Sequence, residues 1–131
     1  MRREFMLPEA DETMLTARGL PWEAISIGGQ WILLHEFPLP PGYNVSQADV
    51  AISISAGYPD AGLDMAYFFP PLARADGKSI GGLSPMPIDG HTWQRWSRHR
   101  TSQNPWRPGV DDLSTHIGLV EDWLVREFNL R

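Results

Sequence analysis

The sequence predicts an α+β fold: an N-terminal helix, an antiparallel meander of three to four strands, a long loop and a C-terminal helix. Three observations carry that expectation. Val50, Ile52, Ile54 and Ala56 alternate with Ala51, Ser53 and Ser55, the period-two pattern of a strand with one buried face. Leu113, Ile117, Val120, Leu124 and Phe128 recur three or four residues apart, which draws one apolar stripe along a helix. Prolines and glycines bound three strand-forming runs, Gln30 to Phe37, Val50 to Ala56 and Met65 to Phe69, whose short connections suggest an antiparallel meander.

Taken in order, Leu7 to Arg18 reads as the first helix. Pro8 suits its first turn, Glu9, Asp11 and Glu12 favour the positive end of the helix dipole, and Gly19 is the stop. Leu20-Pro21-Trp22 leads away as an extended linker. Gln30 to Phe37 is rich in strand formers and ends at Pro38, before the stiff turn of Pro40, Pro41 and Gly42. The alternating run from Val50 follows and is broken by Gly57-Tyr58-Pro59-Asp60, and Met65 to Phe69 reads as a third strand stopped by Pro70-Pro71. Leu72 to Gly90, with two prolines and four glycines, reads as a loop long enough to be functional or mobile. His91 to Ser97 is the fourth strand or hairpin arm. Asp111 and Asp112 then open the last helix, which runs to Phe128.

Size and composition narrow the function. A chain of 131 residues with 42% hydrophobic residues and six tryptophans is long enough for one domain, spanning 1–131, with a real core. The absence of cysteine excludes disulfides, thiolate metal sites and a thiol nucleophile in this chain. A net charge of −5 argues against a general nucleic-acid binder. No apolar run approaches the roughly 20 residues that span a bilayer. Arg2 and Arg3 have no apolar stretch behind them, so no secretory leader is read and the cytoplasm is the expected compartment.

One strip reverses the sign of the chain. No acidic residue occurs between Asp89 and Asp111, while Arg95, Arg98, Arg100 and Arg107, His91 and His99, and Trp93, Trp96 and Trp106 all fall there. That strip is the expected functional segment, with Arg95, Arg98, Arg100 and Trp96 as its partner-binding side chains.

The order of elements, together with particular motifs, resembles the ubiquitin-conjugating (UBC) fold. Ile52-Ser53-Ile54-Ser55-Ala56-Gly57-Tyr58-Pro59 is similar to the strand ending in Tyr-Pro of that family, and Trp106-Arg107-Pro108 to its Trp-x-Pro after the active site. With Leu39-Pro40-Pro41-Gly42-Tyr43 and Trp93-Gln94-Arg95-Trp96-Ser97-Arg98-His99, the set looks like the prokaryotic branch. The resemblance implies a ubiquitin-like protein and its activating enzyme as partners, in a bacterial conjugation system; no cofactor is expected, and His91 and His99, without nearby carboxylates or thiolates, are not expected to hold a metal. Two departures stand out: the family's His-Pro-Asn tripeptide is absent, and so is its cysteine. Ser97, nine residues before Trp106, stands where the resemblance puts that cysteine.

A serine hydroxyl needs an adjacent general base to act as a nucleophile. In an extended segment Ser97, His99, His91 and Arg95 share one face, with Arg98 and Arg100 opposite. The expected chemistry is therefore an oxyester on Ser97, assisted by His99 or His91, with a guanidinium at the developing oxyanion in place of the missing asparagine. Ser79 is the second candidate nucleophile. His35 and His116 read as structural. The alternative to an enzyme is a UBC-like adaptor that docks a ubiquitin-like protein or its activating enzyme without chemistry. A third reading, an unrelated Ser/His hydrolase, lacks an orienting carboxylate nearby in sequence, which only Asp89 or Asp111 would supply in three dimensions.

Overall fold

The computed structural model describes residues 1–129. Helix α1 (Glu9–Ala17) is followed by strands β1 (Trp22–Ser26), β2 (Gln30–Pro38), β3 (Gln47–Ile54), β4 (Ala66–Phe69), β5 (Leu83–Ile88) and β6 (His91–Trp96). Helix α2 (Leu113–Arg126) and a 3-10 turn (Glu127–Asn129) complete the order. The strands make one antiparallel sheet in the order β1-β2-β3-β4-β6-β5. The α+β class and both helices agree with the sequence. The strand count does not: the expected meander of three to four strands is a sheet of six.

The two additional strands have a physical explanation. Trp22 begins β1 rather than ending a linker, because its backbone pairs with Leu34 and the following residues pair down to Ser26 with Gln30. A segment of five residues beside Pro21 carries too little pattern to separate strand from linker. β5 lies inside the expected 72–90 loop although it contains Pro85 and Pro87. Two residues apart, both prolines lack their N–H on the same side of the strand, so β5 can pair with β6 only as the sheet's edge.

The inner face of the sheet carries Trp22, Ile32, Leu34, Val50, Ile52, Phe68 and Trp96, packed against Leu15 of α1 and Leu113, Ile117, Val120 and Leu124 of α2. The alternation from Val50 implies one buried face, yet the opposite face of the sheet is not left to solvent. It holds a second apolar cluster of Ile25, Trp31, Leu33, Ala51, Tyr67, Ile88 and Trp93. Curvature accounts for it. Arg2 donates to Glu23 on β1 (Nε–Oε1 2.8 Å) and bidentately to Asp89 in the β5–β6 turn (2.9 and 2.6 Å). In a flat sheet β1 and β5 would lie roughly 24 Å apart at about 4.8 Å per strand, far beyond an arginine's reach. The sheet therefore curls, and its concave side encloses the aromatic cluster.

Tyr58 joins the parts that frame the site. Its hydroxyl donates to Asp11 Oδ2 of α1 at 2.5 Å and accepts from Leu113 N–H, in the first turn of α2, at 2.7 Å. Trp106 Nε1 donates to Pro59 O at 3.0 Å, and the Trp106 and Tyr58 rings lie 6.1 Å apart. Gly62 leaves the space for that indole, since a Cβ there would fall 2.9 Å from Trp106 Cγ. The Tyr-Pro turn and the Trp-x-Pro segment thus meet in space. Asp112 then caps α2 by accepting from Thr115 N–H, while the Thr115 hydroxyl accepts from Asp112 N–H.

Candidate active site

The chain leaves β6 at Trp96 without leaving its extended path. Ser97 N–H donates to Gly82 O at 2.9 Å, and Arg98 O accepts from Met65 N–H at 3.1 Å. Residues 97 and 99 therefore fall on one side of the backbone. Ser97 Oγ lies 3.3 Å from His99 Nε2, and His99 Nδ1 lies 2.6 Å from Asp64 Oδ2. An ionised carboxylate only accepts, so the proton on the ring belongs on Nδ1. That tautomer leaves the Nε2 lone pair facing the serine hydroxyl. A hydroxyl, an imidazole and a carboxylate thus stand in line, with the His99 and Asp64 side chains 59% and 45% exposed. Such a relay withdraws the hydroxyl proton and orients the ring that receives it.

Asp64 is the member that the sequence reading missed. It stands just before β4, and Met65 between them takes φ 59°, a left-handed conformation uncommon for a side-chain-bearing residue. Two bonds hold that peptide: Met65 N–H to Arg98 O, and Met65 O from His116 Nε2 at 2.9 Å. His116 is fully buried on α2, edge-on to Trp123 at 5.7 Å. Burial pushes its imidazole pKa below the ordinary value, so it sits neutral with Nε2 as donor and its buried Nδ1 without a partner among the described residues. The helix thereby positions the strand that presents the carboxylate. A register slip of one residue in β4 against β6, where Ala66 faces Trp96, would remove it.

A cleft of about 200 Å³ opens beside His99, lined by Arg98, Thr101, Trp123, Arg126 and Glu127. Glu127 is buried and takes Arg98 Nη2 at 3.2 Å and Arg74 Nη1 at 3.5 Å. This ties the loop before β5 and the residue after Ser97 to the end of α2. A larger groove of about 300 Å³ at the β5–β6 edge is lined by Pro71, Leu83, Ser84, Pro85, Thr92, Trp93 and Gln94. It contains no titratable group, so the smaller cleft is the one adjoining reactive chemistry.

The other expected site residues do not all gather here. His91 opens β6, opposite Ile88 and stacked on Phe69 at 5.0 Å. Six residues of strand place it roughly 20 Å from Ser97, out of reach as its base. Trp96 is fully buried against Phe68, at 5.0 Å, and presents no surface to a partner. Arg95 shares the face of Ser97 and donates from Nε to Ser84 Oγ at 2.8 Å. Arg98 reaches inward to Gly81 O and Glu127, and Arg100 lies over the Trp106 ring with its Nη1 3.8 Å from the buried Asp111. Much of the basic strip is thus internal bracing, while Arg107 stays 64% exposed.

Ser79 is exposed in the loop before β5 and makes no hydrogen bond to a histidine among the described residues. The two carboxylates the sequence offered are both engaged elsewhere. Asp89 holds Arg2, and Asp111 accepts from Arg107 N–H at 2.8 Å, a bond that with burial opposing it keeps its carboxyl below the usual range. His35 is flanked by Glu23 at 2.7 Å and Asp49 at 3.2 Å on the opposite side of the sheet from α2. Among the described residues no group of three or more histidine and carboxylate side chains is arranged to hold a metal ion, and no helix is long and apolar enough to cross a membrane.

Comparison with known proteins agrees with this architecture. A family model described as Prokaryotic E2 family E matches residues 7–127, from two residues before α1 through the residue after α2. No curated protein and no solved structure gives a significant match.

Proposed function

The chain belongs to the prokaryotic E2 family E, and from that membership we propose that it carries a ubiquitin-like protein as an oxyester on Ser97 and passes it to an amine. Membership supports ubiquitin-like conjugation, with a ubiquitin-like protein and an activating enzyme as the general class of partner. The single observation that carries the finer reading is the Ser97–His99–Asp64 line, which gives a serine the base it needs in a chain without cysteine.

In the loading step Ser97 Oγ attacks the activated acyl carbon while His99 Nε2 takes its proton. The bond from that carbon to the activating enzyme's leaving group breaks, and the leaving group receives the proton. Transfer repeats the sequence with an amine as nucleophile and Ser97 Oγ as leaving group. Arg95, two residues before Ser97, is the arginine of the strip on the same face as the oxygen where negative charge develops, whereas the adjacent Arg98 turns inward to Glu127. The exposed position of the relay suits two macromolecular substrates.

The test is intact-mass spectrometry of acid-quenched reactions containing the activating enzyme, its ubiquitin-like protein and ATP. An adduct that survives thiol reductant, yields to hydroxylamine and vanishes in Ser97→Ala but not in Ser79→Ala is the expected result. His99→Gln lowers the loading rate by about 10² to 10⁴, the ordinary contribution of a positioned base. The absence of cysteine favours one other reading, a docking adaptor without chemistry. Co-elution with the partners and no adduct at any quench time would select it.

A further inference from the structure

An acyl group on an isolated thiol waits for its acceptor, because nothing beside it activates water. An acyl group on Ser97 has different surroundings. His99 Nε2 lies 3.3 Å from the oxygen that would carry it, and Asp64 holds Nδ1 at 2.6 Å. Both supporting side chains are about half exposed, and the cleft of about 200 Å³ beside His99 is wide enough to hold water. A base in this position does not choose its nucleophile. Whatever enters beside the carbonyl and can lose a proton to Nε2 will react.

We propose that the chain is also an ester hydrolase acting on the acyl group that Ser97 carries. Water enters beside His99 and its oxygen bonds to the acyl carbon as Nε2 takes one of its protons. The tetrahedral adduct then breaks its bond to Ser97 Oγ, which receives the proton back from Nε2. The products are a free carboxylic acid, ionised in solution, and the restored serine. When an acceptor amine is present, the same nitrogen takes the amine's proton instead, so transfer and hydrolysis compete for one base. Asp64 touches no reacting atom; it is a positioning residue that fixes the His99 tautomer. The proposal rests on Ser97 as acyl carrier, and the experiment separates the two.

The experiment uses the full chain alone with p-nitrophenyl acetate, with no activating enzyme or ubiquitin-like protein. Nitrophenolate release continuing well beyond one equivalent per chain is expected. In Ser97→Ala, which keeps His99, release falls to the rate of an equal concentration of free histidine. Asp64→Asn lowers kcat tenfold to a hundredfold with KM unchanged, less than the loss of about 10⁴ at a buried relay, because water already screens this carboxylate. Asp64→Glu recovers part of that loss, which a merely structural role would not produce. A burst of one equivalent that leaves a stable acetyl group on Ser97 overturns the hydrolase and leaves the carrier reading standing. Release that Ser97→Ala does not change overturns both.

Discussion

Tyr58→Phe removes one oxygen and disconnects three elements, which makes its cost calculable. The hydroxyl donates to the Asp11 carboxylate at 2.5 Å and accepts from Leu113 N–H at 2.7 Å. A hydrogen bond to a charged group contributes about 1.5–3 kcal/mol and a neutral one about 1 kcal/mol. The Leu113 N–H also faces Asp11, so the start of α2 is not wholly orphaned, and about 3 kcal/mol is the expected loss. For 131 residues, at about 2.1 cal/mol/K of unfolding entropy per residue, that lowers Tm by about 11 °C. Burial and Asp11 hold the Tyr58 phenol far above its ordinary range, so it remains the donor at any working pH.

The pH dependence adds a second constraint. Asp11 is 3% exposed, and burial raises its carboxyl pKa while the Tyr58 bond pulls it back. A carboxyl whose pKa is raised on folding binds its proton in the folded state before the unfolded chain does, so acidification into that window favours folding. Without the tyrosine oxygen Asp11 rises further. The deficit of Tyr58→Phe against wild type must therefore shrink as pH falls towards the ordinary carboxylate value of 3.8. Urea unfolding followed by tryptophan fluorescence measures both. A deficit below about 0.5 kcal/mol at pH 7, or one that does not change with pH, would refute the clamp.

Other perturbations read different parts of the molecule. His116→Leu removes the donor to Met65 O and should cost about 1–3 kcal/mol at pH 8 in urea melts. The buried imidazole has a lowered pKa, so the wild type loses stability as pH falls below the ordinary histidine value of 6.5 while the unfolded chain protonates; the variant's curve is flatter there. Gly42→Ala puts a Cβ at φ 112° and 2.7 Å from Phe128 Cζ, and should lower the urea-derived stability by about 1–3 kcal/mol. Glu23 is held down to about 2 first by the Arg2 bond, against a reference of 4.5, so its stabilisation is complete above pH 4.5 and disappears as pH falls towards 2. Because Arg2 is 41% exposed, water screens the pair and Glu23→Gln should cost only about 1 kcal/mol at pH 7 and nothing near pH 2, checked by acid titration of the thermal midpoint.

What the sequence by itself determined is local. The alternation from Val50, the stripe from Leu113, Gly19 after α1 and the aspartates at the start of α2 each encode a conformation within one or two turns or one strand, and each recurs in the fold. The Tyr-Pro and Trp-x-Pro motifs pointed to the family because their order along the chain is itself information, and the family match spans both. The neighbour relation of Ser97 and His99 was legible for the same reason: two residues along an extended segment share a side. Burial of Trp96 was not legible, because an alternating strand does not say which of its faces a helix will cover.

Only the tertiary structure decided the rest. Asp64 meets His99 across 35 residues because β4 pairs with β6, and Met65 turns left-handed at the start of that pairing, donating its N–H to Arg98 O and accepting at its O from the buried His116. β5 and its prolines read as loop until β6 is placed beside them, and the outer aromatic cluster exists only because the sheet curls far enough for Arg2 to reach Asp89. Register and curvature are properties of pairs of strands, and no pattern within one strand specifies the partner that gives them their value.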